Sequence, residues 1–212
     1  RMVDPRMNAT MAQTALWAVA SLQRGFFDYA AQQRERVWKQ HALRHADEVT
    51  VAVLGMGQMG RATAQLLAQQ GYRVLGWHRG AGPLAPVLAQ ADVVINLLPL
   101  TPATHGLFNA ATFAQMRRGA SLVNLARGAH VVDADLLAAL AGGQLRRAVL
   151  DVFATEPLPA SHPFWTHPAI TVLPHVAAPT DPRSAAAIAA RNIAALRRGE
   201  ALQHLVDHTR GY

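Results

Sequence analysis

The spacing of hydrophobic residues along this chain changes near residue 48. Between Thr10 and Trp38, apolar residues recur every three or four positions, which predicts an amphipathic helix. Asn8 or Thr10 can cap this helix, and a break is expected near Gly25. Residues 32–45 are mostly polar, so we expect an exposed arm there. Further along, short runs that are apolar throughout alternate with helical patterns, which indicates a different architecture.

The second part of the chain predicts a parallel sheet covered by helices. Six apolar runs predict strands at residues 49–54, 73–77, 92–98, 121–125, 148–151 and 170–173. Helices are predicted at residues 58–70, from a cap at Asp133 to Gly142, and from a cap at Thr180 or Asp181 to Gly199. Strands without polar alternation are typical of parallel sheets buried on both faces. We therefore predict an α/β fold, a doubly wound parallel sheet of the Rossmann type.

The composition fits one α/β domain with an appended arm. The chain has 212 residues, of which 51% are hydrophobic and 16% charged, so wholesale disorder is not expected. It contains no cysteine, which excludes disulfides, thiol nucleophiles and cysteine-ligated metals. No apolar run reaches the length of a membrane span, and no signal segment opens the sequence. We expect a soluble cytoplasmic protein without a membrane partner.

The formal net charge of +7 raises the question of nucleic-acid binding. The basic residues are nearly all arginines scattered along the chain, and the pairs among them lie near predicted helix ends, where cations suit the helix dipole. Without a platform of basic and aromatic residues, we expect no nucleic-acid partner. His204 and His208 have the i, i+4 spacing of some zinc sites, but no acidic cluster accompanies them, so we expect no metal site.

Polar residues follow the carboxyl ends of the predicted strands. A glycine turn begins at Gly55, and further candidates lie at His78–Arg79, Pro99, Arg127, Asp151 and His175. In an open parallel sheet the carboxyl ends of the strands line one crevice, and ligands bind there. The sequence therefore predicts that residues far apart along the chain surround a single site.

Gly55, Gly57 and Gly60 form a G-x-G-x-x-G turn between the first predicted strand and the following helix. Gly55 permits the tight turn, Gly57 lets the backbone approach a pyrophosphate, and Gly60 lets helix and strand pack closely. The amino end of the helix offers free N–H groups to that anion. We interpret the turn as a dinucleotide site; the alternative is a glycine-rich turn with a structural role alone.

The end of the second predicted strand bears on which dinucleotide is bound. An NAD site usually has an acidic residue there for the ribose hydroxyls, whereas residues 76–79 are Gly-Trp-His-Arg. Arg79 can pair with a 2′-phosphate, and no carboxylate is present to repel it. We predict that NADP(H) is preferred over NAD(H); the alternative is that Arg79 is a solvated loop cation.

Three polar residues suggest chemistry on a small carbonyl acid. A guanidinium such as that of Arg127 can hold a carboxylate by two hydrogen bonds and polarise an adjacent carbonyl. The imidazole of His175 can donate a proton near neutral pH, and Glu156 can orient that ring. Taken singly, each has a plainer reading: a structural arginine, a structural histidine and a turn residue before Pro157. Together they predict hydride addition to a keto group, with His175 supplying the proton.

The chain from Val49 to Tyr212 resembles the D-isomer-specific 2-hydroxyacid dehydrogenases, and within them the glyoxylate/hydroxypyruvate reductase group. The matching motifs occupy residues 51–79, 96–109, 122–140, 150–165 and 172–178. The resemblance implies that Arg127 binds the substrate carboxylate and carbonyl, that His175 is the acid/base and that Glu156 is its partner. It also associates the Trp77-His78-Arg79 segment with NADPH.

The resemblance extends the expected cofactor site beyond the glycine turn. It implies contacts at Leu98, Pro99, Thr104, Ala126 and Asp151, with Asp151 near the nicotinamide amide. The complete set expected at the cofactor is Gly55, Gly57, Gln58, Met59, Gly60, Trp77, His78, Arg79, Leu98, Pro99, Thr104, Ala126, Asp151 and Ala177.

The resemblance also defines the expected domains and two departures. Residues 1–48 correspond to a hinge, a dimerisation helix and an arm, residues 49–180 to the dinucleotide-binding domain, and residues 181–212 to a C-terminal helix and tail that return toward the substrate domain. A segment of about a hundred residues that forms most of the substrate domain is missing. The stretch between Arg79 and Asp92 is short and lacks a strand.

We therefore predict NADPH-dependent reduction of glyoxylate, hydroxypyruvate or similar 2-keto acids to 2-hydroxy acids, in a homodimer formed through residues 1–48. Trp38 is interpreted as a packing anchor, with reach into a neighbouring subunit's pocket as the alternative. The other function considered is a non-catalytic NADP(H)-binding sensor or scaffold on the same fold. The physiological substrate does not follow from the sequence.

Overall fold

The computed structural model describes residues 4–206 of the chain. Its centre is a six-stranded parallel sheet with the strand order β2–β1–β3–β4–β5–β6. The strands are β1 Thr50–Leu54, β2 Arg73–Trp77, β3 Val93–Asn96, β4 Ala120–Asn124, β5 Leu145–Leu150 and β6 Ile170–Val172. The six predicted strands are confirmed, with small shifts at their ends. Two ends of the chain lie outside the described residues, namely residues 1–3 and residues 207–212, which include His208.

Seven α-helices in the described residues connect and cover the strands. They are α1 Pro5–Arg24, α2 Phe26–Glu35, α3 Gln58–Gln69, α4 Ala85–Gln90, α5 Ala110–Gln115, α6 Asp133–Ala141 and α7 Pro182–Arg197. Short 3₁₀ turns lie at Ala46–Glu48, Gly128–His130 and Pro163–Trp165. The predicted doubly wound sheet of the Rossmann type is therefore confirmed.

The strands are mostly apolar because helices cover both faces of the sheet. Along β1, Ala52 and Leu54 belong to one hydrophobic cluster, whereas Val51 and Val53 belong to another. The first cluster includes side chains of α4, α5 and α6, and the second includes side chains of α1 and α3. Successive residues of a strand point to opposite faces, so β1 contributes to both clusters.

Helix α1 is an integral layer of this domain. Its residues Ala15, Ala18 and Val19 are fully buried and pack in the second cluster, beside the strands. Trp17 and Phe26 remain partly exposed on the outside. The segment expected to form a dimerisation helix thus covers one face of the sheet, and its part in a dimer stays a prediction.

The first helix differs from its prediction at both ends. It begins at Pro5 and is capped by Asp4, whose carboxylate accepts a hydrogen bond from the Arg6 N–H at 2.9 Å; the caps predicted at Asn8 and Thr10 are wrong. Proline suits the first helical position because its missing N–H would have no partner there. The break at Gly25 is confirmed, with φ +70°, and α2 ends before Trp38.

Two further corrections concern the loops between strands. Asp133 lies inside the first turn of α6 and does not cap it; its carboxylate instead lies 3.4 Å from His162 Nε2. The short helices α4 and α5 were not predicted, and within the described residues α4 occupies the stretch after Arg79 without a strand, as expected. The cap of α7 is Asp181, which accepts from the Arg183 N–H and confirms one of the two predicted caps.

The strand order places a topological switch point at β1. From β1 the chain moves outward to β2 on one side, and then returns to place β3 on the other side. The loops after β1 and β3 therefore leave the sheet in opposite directions and open a crevice between them. No helix within residues 4–206 is both long and apolar enough to cross a membrane.

Candidate active site

The glycine turn lies at the switch point, between β1 and α3. Gly55 has φ +104°, and a Cβ there would lie 2.5 Å from the Leu97 carbonyl oxygen. A Cβ on Gly60 would lie 1.9 Å from the Gly55 carbonyl oxygen. Gly57, in contrast, has no neighbour within 4 Å of the position its Cβ would take. The turn is therefore packed against protein on one side and open at Gly57, where a diphosphate would need room.

The first turn of α3 follows directly. Gln58 is exposed at the amino end of the helix, whereas Met59 is partly buried against the second hydrophobic cluster. The backbone N–H groups of a first helical turn have no partner within the helix, and they favour an anion placed there. An anion in the open space above Gly57 would face this helix end.

The residues after β2 divide into a buried and an exposed part. Trp77 is packed in the first hydrophobic cluster, and its indole Nε1 donates to the Gly82 carbonyl at 3.1 Å. Its side chain therefore shapes the loop from within the core and is not available to a ligand. His78 and Arg79 are exposed, and His78 Nδ1 accepts from the Gly80 N–H at 3.2 Å. The two residues left for cofactor contact are thus His78 and Arg79.

The loop after β3 is shaped by its own hydrogen bonds. The Thr104 hydroxyl donates to the Pro99 carbonyl at 2.8 Å and accepts from the Thr101 N–H at 2.9 Å. Leu98 is buried, and its N–H donates to Asn96 Oδ1 at 3.1 Å. Because the Thr104 hydroxyl has two partners inside the loop, its clearest role in this structure is to fix the Pro99 turn.

Arg127 is exposed at the carboxyl end of β4. Its Nη1 donates to the carbonyl of the buried residue Ala126 at 2.6 Å. A Cβ on the next residue, Gly128, would lie 1.8 Å from the Phe153 carbonyl carbon. The glycine therefore lets the Arg127 loop pack directly on the loop that follows β5, which carries Glu156.

His175 and Glu156 form the closest ionisable pair of the crevice. His175 Nδ1 donates to Glu156 Oε2 at 2.7 Å, and Glu156 Oε1 accepts from the Phe153 N–H at 2.9 Å. The side chains are 53% and 35% exposed, so a ligand can reach the imidazole ring. With Nδ1 held by the carboxylate, Nε2 is the nitrogen free to exchange a proton.

The pKa of Glu156 reports how the three polar groups interact. Partial burial raises this pKa, but the hydrogen bonds from His175 and Phe153 and the charges of His175 and Arg127 outweigh burial and lower it. Glu156 is therefore ionised at neutral pH. The positive charge of Arg127 contributes to the lowered pKa of Glu156, which agrees with a position of the arginine near the His175–Glu156 pair.

Asp151 holds the loop that carries His175. This fully buried carboxylate accepts from the Val176 N–H at 2.7 Å and from the Ala177 N–H at 3.0 Å, and the Asp151 carbonyl accepts from the His175 N–H at 2.9 Å. His175 itself has φ +57°, a left-handed conformation that costs a non-glycine residue about 1–2 kcal/mol. Asp151 therefore stabilises an otherwise unfavourable loop.

Three buried polar residues beside the site escaped the sequence analysis. Asn96 and Asn124 are the last residues of β3 and β4, lie opposite each other in the sheet register and are joined by a hydrogen bond of 2.9 Å. His130 lies within reach of Asn96 and of the Pro99 carbonyl. The available signal was a polar residue that ends each of two apolar strands, together with a histidine three positions after Arg127.

The fold thus brings Arg127, Glu156 and His175 together at the carboxyl edge of the sheet, the edge that also carries the glycine turn. Such a rim can bind a small carboxylic acid through the guanidinium and exchange a proton with it through the imidazole. The side chains of Trp77, Leu98 and Ala177 lie in the hydrophobic core. Ligand contacts of the remaining residues stay predictions. Among residues 4–206, no group of three or more His, Asp or Glu side chains is arranged to hold a metal ion.

Comparison with known proteins places the chain among the nucleotide-dependent dehydrogenases. The sequence model of the family described as D-isomer specific 2-hydroxyacid dehydrogenase, NAD binding domain, matches residues 16–177. The chain belongs to this family, and its class is that of oxidoreductases acting on CH–OH donors. The resemblance predicted from the motifs is therefore confirmed.

One curated relative gives a more specific comparison than the family. The chain is 42% identical to glyoxylate/hydroxypyruvate reductase A of Serratia proteamaculans (strain 568), in an alignment that covers 100% of this chain and 72% of the relative. The chain therefore spans about three quarters of the length of that curated relative.

Two solved structures have nearly the same fold. One is a D-isomer specific 2-hydroxyacid dehydrogenase from Xanthobacter autotrophicus Py2 in complex with NADPH and MES, with 39% identity, a TM-score of 0.96 and coverage of 100% of this chain and 93% of that one. The other is an NADPH-dependent glyoxylate/hydroxypyruvate reductase from Sinorhizobium meliloti in complex with NADP and sulfate, with 35% identity, a TM-score of 0.96 and coverage of 100% and 72%.

The burial of His130 predicts a pH dependence of stability. Burial lowers the pKa of His130, against the opposing effect of the Pro99 and Arg127 carbonyls. As the pH falls through the unfolded value of about 6.5, the unfolded chain takes up a proton that the folded chain refuses. The contribution of neutral His130 to the free energy of unfolding is therefore complete above pH 6.5. Below that pH the free energy of unfolding falls by up to about 1.4 kcal/mol per pH unit.

Urea unfolding of the wild-type chain and of His130→Gln between pH 5 and pH 8 measures this contribution. The free energy of unfolding of the variant should fall less steeply below pH 6.5. His41→Gln, which changes an exposed histidine, serves as the control and should keep the wild-type slope. Equal slopes in wild type and His130→Gln would contradict the prediction.

Proposed function

We propose that this chain supplies the dinucleotide-binding domain and catalytic groups of an NADPH-dependent reductase of glyoxylate, hydroxypyruvate and similar 2-keto acids. The observation that carries the proposal is the 2.7 Å pair of His175 and Glu156 at the rim that also carries Arg127. The likeness to a named glyoxylate/hydroxypyruvate reductase A and to NADP-bound structures supports it.

The residues present fit an NADP(H) molecule. Gly57 leaves open the space that a Cβ would fill, and the amino end of α3 faces it, which suits a diphosphate. Arg79, exposed at the end of β2, would hold the 2′-phosphate, and no carboxylate follows that strand. When bound, this cofactor supplies the hydride that reduces the keto carbon.

Arg127 would bind the substrate. A 2-keto acid presents a carboxylate and a neighbouring carbonyl, and the planar guanidinium can bond to both. Its present hydrogen bond to the Ala126 carbonyl lies within its own loop and is only partly buried, so a substrate carboxylate can replace it. Arg127 thereby orients the substrate and draws electron density from the carbonyl, where negative charge develops during reduction.

His175 would deliver the proton. Reduction leaves an alkoxide on the former keto oxygen, and His175 Nε2 protonates it while Nδ1 remains bonded to Glu156. The carboxylate, ionised because its pKa is lowered, stabilises the imidazolium before transfer. Asp151 keeps the ring in place through the backbone of its loop, and the reverse reaction uses the same groups in the opposite direction.

The proposed assembly is a homodimer formed through the arm. Residues 36–45 form an irregular segment outside the main body, and Trp38 is 96% exposed there. A tryptophan that is almost fully exposed is unusual in a monomer, and burial in a partner would remove a large apolar surface from water. Residues 181–206 contribute α7, which has no buried residue and is proposed to face the substrate domain.

Arg79 is predicted to set the cofactor preference. In Arg79→Gln, kcat/KM for NADPH should fall by about 10- to 100-fold because a charge-assisted bond to the 2′-phosphate is lost, whereas kcat/KM for NADH should stay unchanged. Arg73→Gln removes an exposed arginine at the amino end of the same strand and is the matched control. A clear NADH preference of the wild-type chain, or equal losses with both cofactors, would refute the role of Arg79.

His175 is predicted to act in turnover and not in cofactor binding. In His175→Ala, kcat for glyoxylate reduction, followed as NADPH oxidation, should fall by about 10²- to 10⁴-fold, while the Kd for NADPH stays close to that of the wild type. The kcat of Glu156→Gln should lie between those of the wild type and His175→Ala, because the imidazole ring keeps a hydrogen-bond partner but loses its counter-charge. A near-normal rate in His175→Ala would end the proposal. A protein with a complete substrate domain that binds NADPH without reducing glyoxylate or hydroxypyruvate would favour a sensor or scaffold.

A further inference from the structure

Two asparagines are buried beneath the crevice at the ends of neighbouring strands. Asn96 and Asn124 are both 0% exposed, and Asn96 Nδ2 donates to Asn124 Oδ1 at 2.9 Å. In contrast, β1 and β5 end in the buried apolar residues Leu54 and Leu150. Polar side chains therefore end the two strands whose following loops contain Pro99 and Arg127.

His130 completes a closed hydrogen-bonded cluster with the two asparagines. Its Nδ1 lies 3.0 Å from Asn96 Nδ2 and 3.1 Å from the Arg127 carbonyl oxygen, and its Nε2 lies 3.4 Å from the Pro99 carbonyl oxygen. With its proton on Nε2, His130 donates to Pro99 and accepts the second N–H of Asn96; with its proton on Nδ1, it donates to the Arg127 carbonyl. Either tautomer links the histidine to a loop that follows one of the two strands.

The cluster fixes backbone groups in two separate loops. Asn96 Oδ1 accepts from the Leu98 N–H at 3.1 Å, while Asn124 Oδ1 accepts from the Ala126 N–H at 3.3 Å. Asn124 Nδ2 donates to the Arg127 carbonyl at 3.0 Å. Together with the contact of His130 to Pro99, these bonds hold residues 98–99 and 126–127 at one separation.

We propose that Asn96, Asn124 and His130 are positioning residues that set the backbone of Arg127 relative to the Pro99 turn. The guanidinium that binds the substrate acid then keeps a constant distance from the cofactor-side loop. The inference rests on the proposed role of Arg127, and none of the three side chains touches substrate or cofactor.

A buried polar cluster adds little net stability compared with apolar side chains of the same shape. The leucines that end β1 and β5 show that apolar side chains are compatible with these positions in the sheet. What a directional cluster adds is a single allowed placement of the groups bonded to it. The bonds of this cluster end on the two loops of the site, so precision there is the property it supplies.

The first test is a double-mutant cycle with Asn124→Asp and Arg127→Lys. The aspartate keeps the acceptor for Ala126 but loses the donor to the Arg127 carbonyl. Asn124→Asp should raise KM for glyoxylate about tenfold, the size of one buried hydrogen bond, and leave the Kd for NADPH unchanged. In the Arg127→Lys background the same substitution should change KM by less than about twofold, because both act through one group.

Leu145→Ala controls for stability loss alone. Leu145 is buried at the amino end of β5, so its truncation destabilises the fold far from the crevice. It should leave KM for glyoxylate unchanged. His130→Gln, which can still donate toward Pro99, should have a lower KM for glyoxylate than His130→Leu. If Asn124→Asp does not fold, His130→Gln takes its place in the cycle.

Amide hydrogen exchange gives a second measurement that needs no turnover. Asn124→Asp should speed exchange at least tenfold at the His130 amide, which donates to the Arg127 carbonyl, while the Val149 amide in the core stays protected. Additive effects on KM, or unchanged exchange at the His130 amide, would overturn the positioning role. If Arg127→Lys leaves KM for glyoxylate unchanged, or if the wild type shows no turnover, the proposed function fails and the exchange result alone decides the positioning role.

Discussion

Loops at the carboxyl edge of the sheet pack so closely in pairs that there is no room for side chains between their backbones. Gly55, after β1, packs against the Leu97 carbonyl after β3, and Gly128, after β4, packs against Phe153 after β5, each at a distance that a Cβ could not occupy. The hydrogen bond between Asn96 and Asn124 joins β3 to β4, and so connects the two pairs of loops. The positions of the functional side chains follow from these contacts.

Buried polar groups then turn this fixed backbone into a directed site. Asp151 holds the left-handed His175, and the ring in turn bonds to Glu156, whose ionised state is favoured by its neighbours. Charge is thus placed at the exposed rim, while the groups that orient it are buried. This division suits acid/base chemistry, because the reacting atoms need access and their supports need a dry, rigid setting.

The sequence predicted the sheet well because each strand contains a short apolar run, which the burial of both faces explains. It failed for α4 and α5, because helices of six residues are too short to show a periodic face. The cap at Asp4 was missed because Asn8 and Thr10 are equally good caps by residue type. Choosing among them depends on Pro5 at the first helical position.

The sequence predicted those residues of the candidate site that can be located by their position after a strand. Residues that follow strands, such as Arg127 and His175, can be found from position alone. The bond between Asn96 and Asn124 depends on strand register, and the inward direction of Trp77 depends on packing. Both features depend on contacts between residues far apart in the chain, which the local spacing of residue types does not predict.

The open space over Gly57 at the switch point is expected to hold the diphosphate of a dinucleotide. Calorimetric titration of NADPH into the wild-type chain and into Gly57→Ala measures this, with Gly142→Ala, a glycine at the end of α6 with φ −78°, as the matched control. The Kd should be at least about tenfold higher for Gly57→Ala alone, with a free energy of unfolding within about 1 kcal/mol of the wild type. Equal affinity of all three proteins for NADPH would contradict it.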